Sequence, residues 1–337
     1  MEFLQNFMDS TYLIVVIILF VVGILCVIKG GDWFVDSASF MAEATGVPKL
    51  IVGATIVSIG TTLPELLVSV IAASQGEFDM AAGNAIGSVT ANIALIMSIA
   101  LIFMPATINR KDYIVKSFLM FLPIAIMFIF GFNGNAPSKL PLVCSIILLI
   151  IFAFNIGENV FGAVKATKLE GKSEKLQATK GEILKNVGIF LLGAVAIFIG
   201  AQLLQTSATT IATKIGISKQ IISLTIVAIG TSLPELVTTI TAIRKKENSL
   251  SVGNIIGANI IDLTLILSLC GIISGGALPV SSQTILLDIP VCFLVGLVAI
   301  TPALITQKFS KWQGYLNLVI YVGYLIAMIT LSGYFVV

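Results

Sequence analysis

Residues 58–69 read SIGTTLPELLVS and residues 228–239 read AIGTSLPELVTT. Each lies in an apolar stretch long enough to cross a bilayer, yet each puts Gly, Pro and Glu where hydrocarbon is expected. Pro64 and Pro234 lack an N–H and crowd the carbonyl four residues back, at Gly60 and Gly230, while those glycines lower the cost of leaving helical geometry. The spacing predicts a helix broken at both places. Irregular backbone at membrane depth survives only against protein or a wet cavity, and hard cations are natural occupants of the freed carbonyls. Glu65 and Glu235 follow within one turn, and Asp262 is a third acid in the same kind of apolar surroundings. A carboxylate at the bilayer centre costs about 2.5–3.5 kcal/mol on insertion scales. No Lys or Arg lies at comparable depth in the spans that carry or neighbour the motifs, so the compensating charge must come from outside the chain, as metal ions or protons.

Composition agrees with a chain that lives in lipid: 57% of residues are hydrophobic, 11% are charged, and the mean hydropathy is +1.07. Apolar runs predict ten spans, near 12–40, 49–73, 80–104, 114–132, 140–160, 186–212, 220–243, 249–275, 284–305 and 313–336. The first run follows acidic Glu2 and Asp9 rather than a basic segment, and is read as a retained helix, not a leader. Cys26, Cys144, Cys270 and Cys292 each lie in an apolar run with no CxxC spacing, which suggests neither zinc nor a disulfide framework. The chain has no His, so proton chemistry falls to carboxylates, and neither a zinc-protease motif nor a nucleophile–His pair is available.

With ten spans, 15 of the 19 Lys and Arg residues fall on one side and Lys139, Lys214 and Lys219 on the other, with Lys29 inside the first span. The positive-inside rule then puts the rich side in the cytoplasm and both termini outside it, as expected of a multi-pass protein of the cell membrane. The polar stretch 161–185 reads as a cytoplasmic linker between a first half, 1–160, and a second half, 186–337. Lys29 and Asp32 are helix neighbours able to pair, and Asp288 reads as a charge suited to a helix start.

Shifting the chain by 170 residues aligns the two motifs without a gap: Gly60 falls on Gly230, Thr61 on Thr231, Pro64 on Pro234 and Glu65 on Glu235. The match continues from GNAIGSVTANIAL (83–95) to GNIIGANIIDLTL (253–265), with roughly 20 of the 51 positions from 46 to 96 identical. Five spans separate the motifs, and an odd number reverses direction. The halves are therefore expected to be inverted five-helix repeats, an architecture of secondary transporters with the substrate site at the repeat interface.

Asn84, Ser88 and Asn92 recur at four-residue spacing on one face of the third span, and Asn254, Ala258 and Asp262 repeat that face in the eighth. Such residues serve either as ligands or as hydrogen-bond glue between helices, and for Asn84 and Asn254 both readings stand. Two carboxylates offer four oxygens, and carbonyls or hydroxyls of Thr61 and Thr231 raise the number to the six or more that Ca²⁺ prefers, with no sulfur or nitrogen donor competing. Na⁺ can use the same oxygens.

GTTLPE with GNAIGSVTAN, and GTSLPE with GNIIGANIID, resemble the paired repeats of the sodium/calcium exchanger branch of the cation/calcium antiporter superfamily, and GGDWFV (30–35) is similar to the first helix of prokaryotic members. The resemblance covers essentially the whole chain. It implies an all-α polytopic membrane protein of ten helices, in which helices two, three, seven and eight enclose the ions and helices one and six slide across them. It places a calcium site at Glu65, Glu235 and the carbonyls of Thr61 and Thr231, with Asn92 and Asp262 completing a central polar ring. Ser58 and Ala228, through backbone oxygens, with Ser88, Thr62 and Ser232, would define flanking sodium sites. The chain departs from the pattern at Ala258, where a Ser matching Ser88 is expected.

The implied function is antiport of Ca²⁺ against Na⁺ by alternating access, in an ion transporter rather than an enzyme. It needs no cofactor, and its partners are Ca²⁺, Na⁺ and membrane lipid, with nothing pointing to nucleic acid or an obligate protein partner. The alternatives on the same scaffold are a H⁺/Ca²⁺ antiporter and a K⁺-dependent Na⁺/Ca²⁺ exchanger; a calcium channel would instead carry flux without countertransport.

Overall fold

The computed structural model describes residues 12–132, 138–169, 178–215 and 230–331. Within them the helices are α1 (Leu13–Thr45), α2 (Lys49–Ser74), α3 (Phe78–Phe103), α4 (Arg110–Gly131), α5 (Leu142–Leu169), α6 (Lys180–Lys214), α7 (Leu233–Lys245), α8 (Asn248–Ile273), α9 (Thr284–Thr306) and α10 (Lys311–Leu331). Among the described residues nine of these are long and apolar enough to cross a membrane; α7 is the described part of the expected span 220–243. The protein is a polytopic helical membrane protein.

Several helices outrun their apolar cores. The α5 helix continues to Leu169 and α6 begins at Lys180, so the polar stretch 161–185 is helical at both ends. The start of α6 is held by a capping box: the Thr179 hydroxyl accepts from the Glu182 N–H at 3.3 Å, and Glu182 accepts from the Thr179 N–H at 2.7 Å. Hydropathy is blind to such a signal. It is equally blind to the antiparallel pair β1 (Ser138–Pro141) and β2 (Ala277–Val280), which joins the α4–α5 and α8–α9 connections.

The expected breaks take different forms in the two repeats. Pro64 sits inside an unbroken helix, and the irregularity of α2 is a π-turn at Gly53–Val57, before the motif. In α7 the interruption stands at the motif itself: Thr231 and Ser232 form a turn, and Pro234 lies in the first turn of the helix that follows, where its missing N–H leaves nothing unpaired. Further π-turns occupy Asn92–Met97 in α3 and Asp262–Ile266 in α8, at positions 170 residues apart, and each begins on a polar residue. Such turns leave the regular hydrogen-bond ladder locally loosened, and they recur at functional sites.

The most enclosed spans are α3 and α8; α1, α6 and α10 are the most exposed on their outer faces. Across the bundle α1 and α6 meet along a glycine seam. A Cβ on Gly30 would lie 2.9 Å from the Gly193 carbonyl and one on Gly193 2.9 Å from the Gly30 carbonyl; Gly23 and Gly200 repeat the relation at 3.1 and 2.9 Å. This reciprocity is what a two-fold axis between antiparallel helices produces, and small residues let the backbones approach. Gly193→Ala is expected to lower stability by about 1–3 kcal/mol, because the new methyl meets backbone that no rotamer change can move; thermal unfolding in detergent measures it.

One expected charge pair is corrected. Asp32 pairs not with Lys29 but across helices, with Lys245 at 3.6 Å and Arg244 at 4.0 Å, because the end of α7 packs beside α1. Asp288 stands near the start of α9, as its sequence position indicates, and is buried there in a π-turn, where it accepts a hydrogen bond from Tyr324 of α10 at 2.9 Å.

Candidate functional site

Each repeat contributes one acid-bearing helix and one amide- or acid-bearing helix to the centre of the bundle. From α2 come Ser58, Thr61, Thr62 and Glu65, and from the turn and start of α7 come Thr231, Ser232 and Glu235. From α3 come Ser88 and Asn92, and from α8 Ala258 and Asp262. None of these residues is more than 7% exposed. Ala228 lies outside the described residues.

The two repeats interlock around the acids. The Ser232 hydroxyl lies beside Glu65, and the Thr61 and Thr62 hydroxyls lie beside Glu235, so each glutamate faces the hydroxyls of the other repeat. Glu65, Glu235 and Asp262 are close enough to repel one another when charged. The Asn92 turn packs on α7 and the Asp262 turn on α2. Ser88 Oγ stands 3.4 Å from Thr231 Oγ1, which joins the repeats once more.

Hydrogen bonding separates the polar residues into two groups. In the first, Asn254 accepts from Thr61 Oγ1 at 3.1 Å and donates to Thr238 Oγ1 at 3.0 Å, while Asn84 donates to Ser69 Oγ at 2.9 Å and to the Glu65 carbonyl at 3.4 Å. These two amides are interhelical glue that fixes α2 and α7. In the second, both carboxylate oxygens of Glu65, Glu235 and Asp262, both amide atoms of Asn92 and the Ser232 hydroxyl are buried without a hydrogen-bond partner of ordinary geometry. Most buried side-chain polar atoms in folded proteins have a partner, and each one left without costs about 1–3 kcal/mol, a charged group more; nowhere else among the described residues do three unpartnered carboxylates stand together.

Among the described residues, no lysine or arginine offsets them within the site. The buried Lys116 is engaged elsewhere, with Glu158 of α5 at 2.9 Å. The carbonyls near the motif are partly occupied: Thr62 Oγ1 donates to Ser58 O at 2.6 Å and Thr61 Oγ1 to the same oxygen at 3.3 Å. Among the described residues, no three Asp, Glu, Cys or His side chains converge closely enough to hold an ion by themselves. A cation here would draw much of its shell from hydroxyl, carbonyl and amide oxygens.

Two residues escaped the sequence reading. Thr238 belongs to the Asn254 bridge, and Asn259, one residue beyond Ala258, is fully buried with both amide atoms unpartnered. The signal for Asn259 was present as a second amide in GNIIGANIID, but its repeat counterpart is Val89, so a search for matched polar positions passes over it.

The sodium/calcium exchanger protein family model matches residues 15–157 and 185–330. The chain is 28% identical to the sodium/calcium exchanger MaX1 of Methanosarcina acetivorans, over 92% of this chain and 97% of that protein. It is 32% identical to the inner membrane protein YrbG of Escherichia coli, over 77% of this chain and 80% of that protein. Its structure is similar to that of the sodium–calcium exchanger NCX_Mj soaked with 2.5 mM Na⁺ and 10 mM Sr²⁺, with a TM-score of 0.76, 28% identity, and 94% of this chain and 99% of that chain covered. A helical membrane bundle with an acid-lined centre and a match across both halves thus places the chain in the sodium/calcium exchanger protein family.

Proposed function

We propose that the protein is a secondary antiporter that exchanges Ca²⁺ for Na⁺ across the cell membrane by alternating access, with both termini outside the cytoplasm. The observation that carries this reading is the set of buried, unpartnered carboxylates of Glu65, Glu235 and Asp262, with no balancing side-chain cation beside them among the described residues. Such a site is stable only when occupied. Ca²⁺ between Glu65 and Glu235, completed by Thr61 and Thr231 oxygens, neutralises it; so do several Na⁺ spread over the oxygens of Ser58, Thr62, Ser88, Ser232 and the backbone of Ala228, with Asn92 and Asp262 between them. An empty site keeps like charges together in low dielectric, and reorienting it is costly. Only occupied forms cross, which makes transport an obligatory exchange.

The halves 1–160 and 186–337, joined through 161–185, would act as the two inverted repeats. The reciprocal glycine contacts of α1 with α6 and the paired π-turns at Asn92 and Asp262 support that division. Na⁺ rather than H⁺ is favoured by the number of neutral oxygens beside the acids, which a proton would not need.

Purified protein in liposomes tests the reading. A Na⁺ gradient directed out of the vesicle is expected to drive Ca²⁺ uptake, and a pH gradient without Na⁺ is not. Uptake that ignores Na⁺ and follows pH would assign the proton-coupled alternative, and a K⁺ requirement the potassium-dependent one. Ala258→Ser restores the hydroxyl that Ser88 has in the other repeat, and is expected to lower the Na⁺ concentration for half-maximal exchange by about five- to tenfold, the worth of one added ligand of hydrogen-bond strength.

A further inference from the structure

We propose that Gln205 of α6 is a ligand of the Na⁺ site at the α7 interruption, an oxygen supplied by the helix that packs across the motif rather than by the motif itself. This role deepens the exchange reading and rests on the flanking Na⁺ site assigned above to Ser232. Gln205 is 6% exposed, and its carbonyl Oε1 is buried without a hydrogen-bond partner. It stands against the motif: a Cβ on Gly230 would lie 2.7 Å from Gln205 Oε1. Gly230 immediately precedes the Thr231–Ser232 turn, and the Ser232 hydroxyl is likewise buried and unpartnered. Two neutral oxygens without partners therefore flank one turn, beside the Glu65 carboxylate that Ser232 faces. Hard cations take such oxygens, and interrupted helices are where transporters hold Na⁺. A Na⁺ bound to Gln205 and Ser232 together bridges α6 to α7.

The other repeat has nothing comparable. Shifted by 170 residues, Gln205 falls on Val35 and Leu204 on Phe34. Gly60, the counterpart of Gly230, is covered by the Phe34 ring, 3.2 Å from an added Cβ, and that ring stacks on Phe190 of α6 at 4.3 Å. Hydrocarbon thus covers the motif in α2, and an amide covers the one in α7. A buried amide that served as glue between helices would spend its oxygen on a hydrogen bond, and Oε1 makes none. Gln202, whose Oε1 is also buried and unpartnered, Thr206 and Thr209 stand at three- and four-residue spacing with Gln205, so the amide belongs to a polar face of α6.

Gln205→Met keeps the length of the side chain and removes the oxygen. Na⁺ is titrated in Ca²⁺-free detergent while thermal unfolding is followed, and Na⁺-driven Ca²⁺ uptake into liposomes is measured in parallel. The variant is expected to need about tenfold more Na⁺ in both, and to keep the Ca²⁺ concentration for half-maximal uptake within about twofold of the parent's. Without ions it should unfold at the parent's temperature or higher, since no hydrogen bond of Oε1 is lost. Gln205→Glu, which returns an oxygen, is expected to recover the Na⁺ response. An unchanged Na⁺ response in Gln205→Met, or a lower ion-free unfolding temperature with equal weakening toward Na⁺ and Ca²⁺, would overturn the role of Gln205. The detergent titration needs no transport, so it decides that role by itself; parent protein that Na⁺ stabilises through Gln205 but that takes up no Ca²⁺ would overturn the exchange reading instead.

Discussion

Glu65→Gln and Glu235→Gln are each expected to reduce Ca²⁺ exchange by about a hundredfold or more, with the folded protein retained in the membrane. Changes one shell out from a metal ligand typically cost about 10- to 100-fold, and here the charged ligand itself is lost. The amide matches the carboxylate in shape, and in this protein the carboxylate oxygens make no hydrogen bond that the amide would break. Removing one charge also relieves repulsion among Glu65, Glu235 and Asp262. The ion-free variants should therefore unfold at the same temperature as the parent or higher, since replacing an uncompensated buried charge is stabilising. The diagnostic difference lies in the response to Ca²⁺. A ligand that binds only the folded state raises stability by about 2.7 kcal/mol at a hundred times its Kd; the parent should show such a rise and the variants should not. Near-normal exchange by either variant would remove that glutamate from the site.

The second large effect is expected from Gly253→Ala and Gly53→Ala. These glycines sit where α8 crosses α2: a Cβ on Gly253 would press on the Leu50 carbonyl, and one on Gly53 on the Leu250 carbonyl, both far inside van der Waals contact. Gly257 continues the seam, its Cβ position lying 2.6 Å from Ser58 Oγ and 2.7 Å from the Ala54 Cα. Backbone cannot rotate away, so the helices must separate. A loss of about 3 kcal/mol or more is expected for each substitution, the upper part of the range for overpacked cores. The damage should reach function, because α2 carries Glu65 and α8 carries Asp262. Gly157→Ala and Gly188→Ala supply the control, as neither glycine has anything within 4 Å of an added Cβ. Unfolding temperature and monodisperse yield in detergent are the measurements. Equal behaviour of the two pairs would mean that the α2–α8 crossing tolerates separation.

Much of this protein is legible in its sequence, for local reasons. Apolar runs mark spans because the bilayer imposes a length on each of them separately. Glu65 and Glu235 stand out because a charge among aliphatic residues costs the same whatever its neighbours turn out to be. The 170-residue offset, and the match of Asn92 with Asp262, can be read by aligning the chain with itself. Thr179 with Glu182 is local too, and a search for caps alongside hydropathy would have found the start of α6.

The partners of these groups are settled by packing. Asn84 and Asn92 look equivalent on one face of α3, yet the first is bonded to Ser69 of α2 and the second to nothing. The same motif lies in an unbroken helix in α2 and after a turn in α7, so the backbone answers to the helices packed around it as well as to Gly and Pro. Asp288 is buried because Tyr324, 36 residues later, brings a hydroxyl to it. Hydropathy and spacing register the cost of burying a polar group at the position where it stands; the group that offsets that cost comes from a helix elsewhere in the chain, and only the packed bundle determines which one.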